Sequence, residues 1–111
     1  EAYKLYEQMI AQTPDDIVVR RELAESLTRC DTPECHRRAL VHWRFLESRA
    51  KQGSLSWLRS RAEIIRSLLG TGQQPEASKL LRVTQLLYPD PGDESLQQLF
   101  SELKQKIDRR K

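Results

Sequence analysis

Apolar residues recur every three or four positions through most of the chain. Val19, Leu23, Leu27 and Cys30 step this way, as do Leu58, Ala62, Ile65 and Leu69, so each set occupies one face of a helix. Ala39, Trp43, Leu46 and Ala50 keep the same spacing on one intervening stretch, and Ala77, Leu80, Leu81, Thr84 and Leu87 on another. No alternation of the strand type runs for a useful length. The pattern predicts helices at about 2–13, 16–30, 33–51, 54–70, 75–88 and 93–109. Their ends are marked. Pro33 and Pro75 stand at first helical positions, where the missing N–H costs nothing, and Glu34 and Glu76 follow where the helix dipole favours a carboxylate. Asp16, Ser54 and Asp93 are suited to N-caps, and Gly53 and Gly70 to stops.

The pattern also repeats. Ala2, Ala39 and Ala77 are 37 and 38 residues apart, and a large side chain follows each four residues later, at Tyr6, Trp43 and Leu81. Pro14 and Pro89 come twelve residues after the first and last of these alanines, each followed by Asp. A second thread has the same period: Arg21, Ala24, Glu25 and Leu27 return 38 residues later as Arg59, Ala62, Glu63 and Ile65. Two threads at one period predict an all-α chain of stacked antiparallel hairpins.

These residues resemble the tetratricopeptide repeat family. Its pattern has a small residue in the first helix, Ala-x3-aromatic in the second and Pro at the repeat end, here Ala24, Ala2-x3-Tyr6 and Pro14, then Ala62, Ala77-x3-Leu81 and Pro89. Gly72, five residues before Ala77, looks like the family's inter-helix turn. The resemblance implies a single domain over 1–111, a short right-handed solenoid in which 1–14 is the second helix of a repeat, 15–52 and 53–90 are full repeats and 91–111 is a terminal or capping helix. The sequence departs from the family in its longer period, against about 34 residues, in Lys51 where Pro is expected, and in Arg61 at the apolar slot held by Leu23. With Glu at position 1 and a helical pattern running at Ala2, the chain reads as a piece of a longer one.

A hairpin solenoid presents its first helices on an inner wall suited to a peptide or partner helix. In the family's register the inward positions are Arg21, Glu25, Thr28 and Arg29, then Arg59, Glu63, Arg66 and Ser67, then Gln97, Ser101 and Lys104. The resemblance therefore implies a protein-interaction module whose partner is a segment of another protein or of the chain's own remainder. The family's best-known peptide site is a carboxylate clamp of Lys, Asn and Arg, and a chain without Asn does not inherit it.

Charge sharpens the choice of partner. Residues 1–34 carry four Lys/Arg against eight Asp/Glu, residues 35–66 eight against two, and residues 67–111 seven against six. A basic centre favours acidic partners, with strong dependence on salt. Nucleic acid is disfavoured, because the overall charge is +3 and Arg37, Arg38, Arg44, Arg49 and Lys51 spread round a helix instead of forming one stripe. Trp43 and Trp57 fit core wedges better than base-stacking platforms. The rival readings are a spacer that orients other domains and a single-stranded RNA-binding repeat.

Cys30, Cys35, His36 and His42 are the one cluster with site chemistry. Their spacing lacks the segment that lets a zinc site bring two ligand pairs together, and two His six apart on a helix diverge, so no metal is expected. Cys30 and Cys35 flank a short turn and can bond if their Cα atoms approach within about 7 Å. Two free thiols, with Cys30 in the packing seam, are the expected state of an intracellular hairpin, whereas a bond implies an exported or periplasmic one. No phosphate-binding glycine loop, metal-binding His-Glu pair or nucleophile elbow is present, so neither a cofactor nor catalysis is expected. No apolar run approaches the length of about 18 residues needed to span a membrane, since Arg66 interrupts even the stretch 64–69.

Overall fold

A computed structural model describes residues 2–109 of the chain. It is all-helical, with α1 (Ala2–Gln12), α2 (Ile17–Cys30), α3 (Pro33–Arg49), α4 (Leu55–Gly70), α5 (Gln74–Leu87) and α6 (Glu94–Arg109), and no strand among the described residues. The packing of Ala2, the first of the repeated alanines, lies outside the described side chains.

α2, α3, α4 and α6 begin where a side chain can take the orphan amides of a first turn, and α5 has no such cap. Asp16 accepts from the amides of Val18 and Val19, Ser54 from that of Trp57 at 3.2 Å, and Asp93 from that of Leu96 at 3.0 Å. Thr32 does the same for Cys35 at 3.1 Å, directly before Pro33. The stops differ from the sequence expectation. Gly70 lies inside the last turn of α4, and the left-handed residue that ends the helix is Gly72, with φ of 78°. Its amide meets the Leu69 carbonyl and the amide of Gln73 meets Leu68, which is a Schellman closure. Gly70 is small for a different reason: a Cβ there would overlap the His36 ring of α3. Gly53, with φ of 84°, turns the chain into α4 under the ring of Tyr88, which also meets Trp57 edge to face at 5.5 Å.

The core runs through the middle of the chain. Leu23, Ala24 and Leu27 of α2 pack with Ala39, Trp43 and Leu46 of α3 and with Leu58, Ala62 and Ile65 of α4. α4 is buried nearly all round, because α3, α5 and α6 all pack on it. α6 contributes Leu96, Phe100, Leu103 and Ile107, and α1 packs on α2. Trp43 and Trp57 are both buried. Of the expected apolar faces, Ala50 and Leu80 are half-buried and two residues are exposed. Cys30 is exposed, and Leu87, at the end of α5, keeps 59% of its surface in solvent. Arg61 fills its apolar slot as an ion pair: its Nε donates to Glu47 at 2.8 Å and its guanidinium lies 4.4 Å from the Trp57 ring centre.

The cysteines are bonded to each other, with Cα atoms 6.1 Å apart, instead of standing as two thiols with Cys30 in a packing seam. It is Cys35 that is buried, at the first turn of α3, and Cys30 reaches it across the turn. That turn contains Asp31 at φ of 55°, a left-handed position that short polar residues tolerate.

Candidate functional site

α2, α4 and α6 share one face, and open recesses run along it. The first, about 290 Å³, is bordered by Arg21 and Glu25 of α2, Arg59 of α4, and Asp93 and Leu96 at the start of α6. A second, about 240 Å³, lies between α4 and α6 and is bordered by Arg59, Arg66, Ser95, Gln98 and Glu102. The third is the largest, about 520 Å³, at the other end of the three helices, with Thr28 and Arg29, Arg66 and Leu69, Lys106 and Arg109, and Asp31 and His36 around it. Arg59 borders the first two and Arg66 the last two, so the recesses follow one another along α4.

The expected inward residues divide into three groups. Arg21, Glu25, Arg29, Arg59 and Arg66 border these recesses with partly or fully exposed side chains. Thr28, Glu63 and Ser67 are buried, and so are parts of the packing. Thr28 donates its hydroxyl proton to the Ala24 carbonyl at 2.9 Å and accepts from Trp43 Nε1 at 3.0 Å, which takes its oxygen away from any ligand. Gln97, Ser101 and Lys104 lie on the other side of the α6 apolar stripe. Gln97 donates to Asp90 at 2.9 Å, and Lys104 borders a separate recess with Ser78, Leu81, Arg82 and Gln85 of α5. The residues of α6 that do face α2 and α4 are Ser95, Gln98, Glu102, Lys106 and Arg109, at the spacing of one helix face. Sequence reasoning missed these five.

Behind the recesses sits a buried carboxylic acid. Glu63 is 3% exposed, and burial pushes its carboxyl above the ordinary 4.5, against the pull of Arg66 and Arg59. Its Oε1 lies 3.3 Å from Arg66 Nη1 without hydrogen-bond geometry. At the other end of the face the Asp31 carboxyl is held below its usual range, chiefly by the hydrogen bond from His36. An ionised Asp31 makes His36 Nε2 the donor across 2.6 Å, and leaves buried Nδ1 without a partner.

Much of the remaining charge is neutralised internally. Arg38 pairs with Glu7, Arg49 with Asp15 at 2.6 Å and Arg37 with Glu34 at 2.9 Å, so the acidic first third of the sequence answers the basic third helix. Arg20 lies 3.8 Å from the centre of the Phe45 ring, and burial lowers its pKa. With Cys30 and Cys35 bonded to each other, neither sulfur is free to ligate. Among the described residues no three His, Cys, Asp or Glu side chains are grouped to hold a metal ion. No helix among the described residues is long and apolar enough to cross a membrane. Comparison of the chain with family models, with curated proteins and with solved structures finds no match.

Proposed function

We propose that this chain is a protein-interaction module of tetratricopeptide type, with α2, α4 and α6 as the first helices of successive units and the row of recesses along them as a groove for a segment of another protein, or of its own longer chain. The observation that supports this most is continuity. Arg59 and Arg66 each border two recesses, so a segment laid along α4 meets side chains of three helices without a break. α4 has 16 residues, a length of about 24 Å, which an extended heptapeptide matches. Arginines outnumber carboxylates along the line, and the partner segment carries a net acidic bias. Such rim electrostatics give a modest affinity, about micromolar, that weakens as salt rises.

The test uses immobilised degenerate heptapeptides with a fixed central Glu. Wild-type protein is retained, and the double reversal Arg21→Glu with Arg59→Glu abolishes retention, because both residues are exposed and border the same recess. Arg66 is left intact, since a carboxylate there would face buried Glu63 and confound binding with folding. Arg44→Glu, on the exposed side of α3, is the control and changes little. Loss with Arg44→Glu and none with the double reversal would move the binding surface to α3. A wild type that is not retained at all would leave the hairpins as spacers between other parts of the protein.

A further inference from the structure

The largest recess differs from the other two in the balance of its charges. Four cations border it, Arg29 from α2, Arg66 from α4, and Lys106 and Arg109 from α6. One carboxylate, Asp31, stands on the same border, and the charge of Arg66 is shared with Glu63 behind it. Cations in a last helical turn stabilise their own helix through its dipole, and Arg29, Lys106 and Arg109 serve that role, whereas Arg66 stands before the last turn of α4. That role asks for one cation per helix, on any side of the turn. It does not account for side chains of three helices converging on one cavity. The carboxyl ends themselves subtract at most about half a charge each, and on α4 the carbonyls of Ser67, Leu68 and Leu69 are already taken by the amides of Thr71, Gln73 and Gly72. A positive excess remains, larger than one carboxylate neutralises.

We infer that this recess is a subsite for a phosphate monoester, carried as phosphoserine or phosphothreonine by the segment lying in the groove. Such a group brings a charge of about −1.5 to −2 and three strong acceptor oxygens. Guanidinium forks from α2, α4 and α6 suit it better than they suit a carboxylate, which offers two oxygens and one charge. The cavity of about 520 Å³ is larger than a phosphate and a seryl stem, and the surplus admits the flanking backbone. Its border at Arg66 leads into the next recess, so the phosphorylated residue sits at one end of the segment's path. The inference rests on the groove reading above, and adds the chemistry of one position along it.

Three bead-bound libraries of degenerate heptapeptides test it, with central phosphoserine, glutamate or serine. The informative variant is Arg29→Gln with Lys106→Gln, both exposed residues outside the apolar core. Wild-type protein should prefer the phosphoserine library to the glutamate library about tenfold, and in the variant the ratio of retention on the two libraries should fall to about one. Equal retention of the wild type on phosphoserine and glutamate, or a preference that survives in the variant, would overturn the inference and leave the groove reading standing. Failure on all three libraries would remove both. Binding to phosphatidylserine vesicles, lost in the variant, with no preference among peptides, would overturn it in favour of a membrane-facing patch.

Discussion

Glu63 and Gly70, two turns apart on α4, each predict a measurable change from a single substitution. A carboxyl whose pKa is raised by burial takes up protons on folding, so its contribution favours the folded state below 4.5 and turns against it as pH rises through the raised value. Glu63→Gln removes that penalty. The variant should unfold at higher urea than the wild type at pH 7, by about 1 kcal/mol, and the gain should vanish when the titration is repeated below pH 4.5. A loss of stability at pH 7 would mean that the Arg66 contact outweighs the burial. At Gly70 the sign is opposite. A Cβ has no room beside the His36 ring, so Gly70→Ala should cost about 1–3 kcal/mol by the same measurement, although alanine is ordinarily the better helix former. Thr28 shows why such positions are hard to read beforehand. Nothing in its local sequence announces that Trp43 will donate to it from another helix.

The turn between α2 and α3 is held by two links that span nearly the same residues, the Cys30–Cys35 bond and the Asp31–His36 hydrogen bond. The covalent loop is short, so its entropic contribution is about 2 kcal/mol. Reduction, or Cys30→Ser with Cys35→Ser, should lower stability by that amount and leave the helical circular dichroism of the folded protein unchanged. A larger fall would show that Asp31 cannot hold its left-handed conformation without the bond. Most of the elements were legible in the sequence, because caps and periodicity are local: Asp16, Ser54, Asp93 and Pro33 start helices where expected. The face that α6 turns toward the recesses was not. Its apolar stripe of Leu96, Phe100, Leu103 and Ile107 leaves a polar arc on either side, and which arc meets α2 and α4 depends on how the helix rolls between α4 and α5. The repeat register selected the arc of Gln97, Ser101 and Lys104, and packing turned the other toward the recesses.

The molecule measures 39 × 28 × 20 Å, longer in one direction than a sphere of its size. Its packing is densest where α3 meets α4 and thins toward α1, whose helical contacts are chiefly with α2. Amide exchange should follow that gradient: α1 opens first, by local fraying, and the α3–α4 amides exchange last, through global unfolding. Uniform protection along all six helices would contradict it. Charge has its own layout at this scale. Arg38, Arg49 and Arg37 of α3 are drawn toward Glu7, Asp15 and Glu34, Arg61 of α4 pairs with Glu47, and Arg59 and Arg66 of α4 are left facing the recesses. The asymmetry between thirds of the sequence therefore serves two purposes, holding the first helices together and biasing one face toward anions.

The burial of most of α4 bears on how the chain could be cut. Thr71 to Gln73 is a surface turn whose tip, Gly72, has open space around it, an inviting place for a backbone break. The piece after the break would hold α5 and α6, under 40 residues with too little apolar surface between them to stay folded. The piece before it would display Ile64, Leu68 and the rest of an apolar helix bare to water. Each half thus carries the other's missing surface. Separately they should be an unfolded peptide and an aggregating one, and together a noncovalent heterodimer with the circular dichroism of the intact chain. Hairpins that could each stand alone would behave otherwise, with no gain of helix on mixing.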